Sequence, residues 1–386
     1  MLNLPLRMSH LARRAGISVA VTLALAACHD VALQNYNQGI DAMERGDTAT
    51  ALANFKSAVD ARPSDPDARV NYGVALLETG HPGDALVQFE AASATNPNDP
   101  DIHVNLAEAY KATGKLADAR TEYERALRIS PDKVQALSGY GELLMRQGDY
   151  DEAASRLRHA IRVAPDDAAA QLHMGWLYLR TGRADESTQY FLHGLQLEPR
   201  SAYGHRGLGE AYLARKLPAD ALTEFQKVYS ADSNDVNAMI GIGRCQIELG
   251  NHAAAESVLR RAVAHAPRNA DARSWLGAAL GARREYEESV SQYRMAIQLD
   301  AENAAAYLGL GSVLEQAGHL NEAEAALTAG LAHAPLDPRL RYRLGMVYID
   351  MNDMERARIS LETALDQARD DAALRTTIQS ALDSIK

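Results

Sequence analysis

The sequence predicts an all-α chain of repeated helical hairpins, and three observations carry that prediction. Ala and Leu dominate the 386 residues, aromatics make up 6%, and runs of β-branched residues are absent, a balance that favours helices over strands. Glycine recurs every 34 residues as Gly39, Gly73, Gly141, Gly175, Gly209, Gly243, Gly277, Gly311 and Gly345, with Ala107 in the one gap. At the same interval most units close on proline, as Pro63, Pro97, Pro131, Pro165, Pro199, Pro267 and Pro335, with Ser233, Ala301 and Arg369 as departures. Glycine averages about 7% of residues in proteins, so nine occurrences in ten at one spacing are not chance.

Taken in order, the first element is a leader. Arg7, Arg13 and Arg14 precede an uncharged apolar stretch of 13 residues from Ala15 to Ala27, too short to span a bilayer, which needs about 20. Residues 1–27 read as a secretory signal peptide, and Met8 offers a second start to the same signal. The junction Leu25-Ala26-Ala27-Cys28 resembles the bacterial lipobox. That resemblance implies a diacylglyceryl group on the Cys28 thiol, a lipidated N-terminus and short linker at 28–31, and firm anchoring, since each buried CH₂ adds roughly 0.8 kcal/mol. A soluble secreted protein cleaved nearby, or an uncleaved anchor, is the competing reading. In that lipoprotein family Asp directly after the cysteine often retains a protein at the inner membrane. Here His29 holds that place, which implies an outer-membrane anchor with the chain facing the periplasm.

The repeats follow. Small residues recur 12 positions after each glycine, from Ala51 to Ala357, and again at 19, from Ala58 to Ala364, while Phe55, Phe89, Tyr123, Leu157, Phe191, Phe225, Leu259, Tyr293, Leu327 and Leu361 supply bulk between them. This resembles the tetratricopeptide repeat (TPR), 34 residues long, with small side chains at positions 8, 20 and 27, a large one at 24 and proline at 32. Ten units then start at residues 32, 66, 100, 134, 168, 202, 236, 270, 304 and 338 and fill 32–371. The resemblance implies a right-handed TPR superhelix, an α-solenoid of ten helix-turn-helix repeats.

Asp65-Pro66, Asp99-Pro100 and Asp337-Pro338 pair an N-cap carboxylate with proline at the first helical position. Glycine at position 15 suits the turn between helices A and B, and its replacement by Lys216, Arg284 and Asn352 predicts a weaker or reshaped turn in repeats six, eight and ten. Leu374, Ile378, Leu382 and Ile385 make 372–386 an amphipathic capping helix.

Composition bears on function class. The net charge is −11, and removing the three arginines of the leader leaves −14, which argues against nucleic acid as a partner. The twelve histidines form no HExxH pair and there is no CxxC, so no metal is expected. Pairs such as Gly207-Leu208-Gly209 lack the third glycine and the preceding strand of a nucleotide loop. Cys245 sits between apolar neighbours in a helix A and reads as an inert buried thiol. No cofactor, catalytic residue or small-molecule substrate is expected, and the repeats leave no residues for a fused catalytic domain.

Binding is the expected activity. In the family, positions 2, 5, 6, 9 and 12 of helix A face a concave surface. Asn37, Asn71 and Asn105 share position 6 of the first three repeats and resemble an asparagine ladder, whose amides match an extended peptide backbone. Farther along, Trp176, Tyr203, Arg206 and Arg244 are the expected anchors of a protein partner. Tolerated surface polarity for the asparagines, and partial burial against repeat six for Trp176, are the plainer readings. TPR lipoproteins of this build resemble pilus-assembly and secretin-pilotin proteins. The expected role is therefore a membrane-anchored periplasmic scaffold in assembly of a cell-envelope machine, with adaptors for peptidoglycan enzymes or proteases, or polysaccharide-export partners, as the alternative.

Overall fold

A computed structural model describes residues 19–369 and 371–385, with side chains from residue 31 onward. Twenty-one α-helices and no strand occur among the described residues. They fall into two compact units divided after Arg200. The first holds five hairpins, α1 (Val19–Glu44) to α10 (Ala184–Leu197). The second holds five more, α11 (Ala202–Ala214) to α20 (Met354–Gln367), and the closing helix α21 (Ala372–Ser384). Each hairpin pairs a helix A with a helix B of about four turns, marginal alone in water, so stability comes from stacking.

Helix starts follow the caps. The Asp65 carboxylate accepts from the backbone N–H groups of Asp67 and Ala68, and Asp99 and Asp337 cap α5 (Pro100–Ala112) and α19 (Pro338–Asp350) in the same way. One boundary differs from expectation. Residues 28–31 are not a linker but continue α1 from Val19, because nothing between Val19 and Gln38 is Gly or Pro and the segment is rich in helix formers.

The turn at position 15 is left-handed throughout, with φ between 74° and 81° at its seven glycines. Lys216, Arg284 and Asn352 adopt φ of 58°, 66° and 58° in the same place. The expected reshaping does not occur. Leu217 N–H donates to the Tyr212 carbonyl at 2.9 Å, as Lys115 N–H does to Tyr110 across a glycine turn. The departure from glycine is therefore borne as backbone strain rather than as altered geometry.

Position 8 is small for a reason the pattern alone does not give. A Cβ on Gly39 would lie 2.5 Å from the Phe55 ring, and one on Gly243 or Gly311 equally close to Leu259 or Leu327. Glycine makes room for the position-24 side chain of its own hairpin. Where position 20 is Ser instead of Ala, the hydroxyl is satisfied: Ser187 donates to the Gly175 carbonyl at 2.8 Å and Ser289 to that of Gly277 at 2.6 Å.

The closing prolines also have a polar use. Position 4 of the next helix A reaches back to the proline carbonyl, from Arg69 to Pro63 at 2.6 Å, His103 to Pro97 at 2.9 Å, Gln171 to Pro165 at 2.7 Å and Arg273 to Pro267 at 2.8 Å. Each contact ties successive hairpins together at a carbonyl no helix satisfies. At the C-terminus Ile378 is fully buried against Leu361 and Ala364, so α21 closes the apolar end of the last repeat as expected.

Candidate functional site: a groove on the A helices of the second unit

Within each unit, glycine at position 6 of a helix A lies against the position-24 side chain of the preceding repeat. A Cβ on Gly139 would meet the Tyr123 ring, one on Gly241 the Phe225 ring, and one on Gly309 the Tyr293 ring. After an aromatic residue at 24 the next position 6 is glycine at four junctions, Gly139, Gly207, Gly241 and Gly309, and asparagine at two, Asn71 after Phe55 and Asn105 after Phe89. Where position 24 is the shorter leucine, as at Leu157, Leu259 and Leu327, the next position 6 is large: His173, Trp275 and Arg343.

That volume exchange builds a groove of about 460 Å³ in the second unit. Trp275 and Arg343 form its walls, and Gly309, between them in sequence, exposes Tyr293 as its floor. Ala278, Leu308 and Ser312 also line it, at positions 9, 5 and 9 of their helices. Trp275 packs on the core around Leu259, which fixes the ring. The Arg244 guanidinium lies 5.2 Å from the Trp275 ring centroid and 2.6 Å from Glu210, a charged brace behind the aromatic wall. Arg343 donates to Glu315 at 3.3 Å, while its Nε has no partner among the described residues. Burial pushes the Glu315 carboxyl up, against the pull of Arg343.

The expected anchors are distributed differently. Asn37 is exposed, but Asn71 and Asn105 are fully buried. The expectation of an open amide ladder is thus corrected at two of its three members, because position 6 is covered by the repeat junction. The Asn71 amide donates to the Tyr36 hydroxyl at 2.9 Å, and neither amide atom of Asn105 has a partner among the described residues. Trp176 is half-buried, but edge-on to Phe191 of its own repeat with centroids 5.5 Å apart, so the burial observed is within repeat five and not against repeat six. Tyr203 and Arg206 are half-buried, and Arg206 lies 3.9 Å from Asp235. Of the residues singled out, only Arg244 touches the groove wall. Cys28 lies within α1 with its side chain outside the described residues, as is the leader at 1–18. Trp275, Leu308 and Arg343 were missed as site residues. The signal for Trp275 and Arg343 was present, since large residues at position 6 flank Gly309 at the same position, whereas Leu308, at position 5, carried none.

The equivalent place in the first unit is filled. Lys111 donates to Glu108 at 3.0 Å and to Glu142 at 2.6 Å, Tyr123 donates to Glu108, and His173 lies 3.0 Å from the Ser138 hydroxyl. Burial opposes the charge on Glu142, yet Lys111 and His173 hold its carboxyl below the ordinary range. Burial lowers His173 and raises Tyr123 well above a free phenol. Cys245 is fully buried, and burial pushes its thiol up to about 12, in keeping with an inert side chain. No group of three metal-ligating side chains, and no helix long and apolar enough to cross a membrane, occurs among the described residues.

Comparison with known proteins agrees with this architecture. A model described as tetratricopeptide repeat matches residues 76–139, 144–211, 212–279 and 316–381. A second of the same description matches 36–88, and a TPR repeat model matches 282–318. No curated protein matches. Among solved structures, a tetratricopeptide repeat protein from Parabacteroides merdae is similar at 20% identity and a TM-score of 0.50, over 65% of this chain and 99% of that one. The APC/C hetero-tetramer Cut9–Hcn1 is similar at 12% identity and a TM-score of 0.50, over 95% of this chain and 99% of its match. Both likenesses concern the fold alone.

Proposed function

Because the chain belongs to the tetratricopeptide repeat family, whose stacked hairpins serve as interaction scaffolds, we propose that it receives an extended segment of a partner protein in the groove between Trp275 and Arg343. The groove itself is the observation that carries this reading: an aromatic wall, a cationic wall and a floor opened by Gly309. Aromatic and Arg side chains in fixed settings are the usual anchors of protein interfaces. The finer reading is a scaffold lipidated on Cys28, held at the outer membrane and facing the periplasm, that assembles a cell-envelope machine such as a pilus or secretion system. The lipobox-like Leu25-Ala26-Ala27-Cys28 supports it.

A photo-crosslinking residue at Ala305, which lines the groove, tests the binding claim against one at Ile359, which is exposed on helix α20. The expected result is an envelope-protein adduct at 305 that is absent at 359 and lost with Trp275→Ala. Identical adducts at both positions, or adducts indifferent to Trp275, would reject the groove as the binding site.

A further inference from the structure

Two hairpin junctions in this chain share one unusual pairing, tyrosine at position 24 followed by glycine at position 6: Tyr123 with Gly139, and Tyr293 with Gly309. A Cβ on either glycine would lie 2.5 Å from the tyrosine hydroxyl beneath it. The first junction shows what such a hydroxyl binds. Tyr123 donates to the Glu108 carboxylate, and Lys111 and Glu142 close over the pair.

The second junction has the same frame with its filling removed. Position 9 of the first helix A changes from Glu108 to Ala278, position 12 from Lys111 to Gly281, and position 9 of the next from Glu142 to Ser312. All three truncated residues line the groove. Tyr293 is 95% buried by its 5% exposure, lines the same groove, and no described side chain accepts from it. Where the first junction has His173, the second has Arg343, whose Nε is buried without a partner, and Ser274 Oγ on the same lining is also unpartnered. Three hydrogen-bond donors, one of them cationic, thus line a space from which a carboxylate and its counter-charge have been deleted.

We infer that the groove selects partner segments carrying a Glu or Asp side chain, whose carboxylate takes the place at Tyr293 and Arg343 that Glu108 takes at Tyr123. The inference rests on the groove being the binding site and names what that site reads. Hydrogen bonds from phenol and guanidinium to an ionised carboxylate are roughly twice as strong as neutral ones. Two anions oppose it. Asp271 is exposed at the groove mouth, and Glu315 shares Arg343 through the other edge of the guanidinium. The overall charge of −11 acts at longer range and is screened within about 8 Å at physiological salt, so contact groups decide the selectivity.

The chain has two tryptophans, so Trp176→Phe leaves Trp275 as the sole indole reporter in the groove. The probes are hexapeptides Ala-Leu-Xaa-Leu-Ala-Ala with acetylated and amidated ends, Xaa being Glu, Gln or Lys, and the Gln peptide again with a free C-terminal carboxylate. The Glu peptide should shift Trp275 emission saturably and bind about tenfold more tightly than the Gln and Lys peptides. Arg343→Gln should erase that difference. Ala278→Glu, which restores the internal carboxylate, should block the Glu peptide.

Equal affinity for Glu and Gln peptides would overturn the carboxylate inference while leaving the groove as a binding site. So would a preference for Lys, for the free C-terminus over the Glu side chain, or unimpaired Glu-peptide binding in Ala278→Glu. No change in Trp275 emission with any peptide at about 5 mM, a Kd range worth only about 3 kcal/mol, would overturn both readings.

Discussion

Lys216 and Arg284 occupy left-handed turns that seven sister repeats give to glycine, so replacing each with glycine should stabilise its hairpin. A left-handed conformation costs an L-residue roughly 1–2 kcal/mol. Glycine avoids that strain but adds about 0.5–1 kcal/mol of unfolded-state freedom. Both side chains are exposed, and neither makes an ion pair among the described residues, so no contact is lost. The net gain is then about 0.5–1 kcal/mol per site, or a two- to fivefold rise in local protection. Asn352, with φ of 58°, belongs to the residue type that tolerates this region, and Asn352→Gly should change little. Amide exchange at Leu217, Glu285 and Asp353, the N–H groups that close the three turns, reads each site separately. Arg284→Ala separates charge from strain, because it removes the cation but keeps the left-handed penalty. Equal stabilisation by Arg284→Ala and Arg284→Gly, or by Asn352→Gly and Arg284→Gly, would refute the strain argument.

Three further outcomes are expected. Gly141→Leu drives a side chain into Leu157, which a bare Cβ would already meet at 2.6 Å, and should cost about 1–3 kcal/mol, with exchange protection falling in repeat four and its neighbours before repeat two. Burial lowers His173 below the ordinary imidazole value of about 6.5, so the unfolded chain takes up a proton first and stability falls as pH drops through 6.5; denaturation of His173→Gln should show a shallower slope between pH 7 and 5. Cys28→Ser should release the chain from the membrane fraction, and its quantitative retention there would sink the lipid-anchor reading.

The hairpins were legible because their cause is local and repeated. Gly39 to Gly345, the caps at Asp65, Asp99 and Asp337, and the bulk from Phe55 to Leu361 each act within one unit, so one register explains them all. The site was less legible because it depends on relations between units. Asn71 and Asn105 share a register with exposed Asn37, yet both are buried at a junction with the preceding hairpin, while Asn37 belongs to the first described hairpin. A face assigned from one repeat's periodicity does not know what the preceding repeat places on top of it.

The relation that decides openness is itself written in the chain, one period apart. Position 24 of one repeat and position 6 of the next share a volume, since a Cβ at Gly139, Gly241 or Gly309 would enter the ring before it. Leucine at 24 releases that volume to His173, Trp275 or Arg343. A groove needs both states in succession: large, glycine, large. Trp275, Gly309 and Arg343 meet that condition over an aromatic floor, and the space remains because Ala278, Gly281 and Ser312 are short. Asn105, Gly139 and His173 approach the same arrangement, but Glu108, Lys111 and Glu142 occupy the space with buried charge. The repeat code thus specifies the frame, and the choice of side chains at positions 9 and 12 determines whether the chain fills that frame itself or leaves it for a partner.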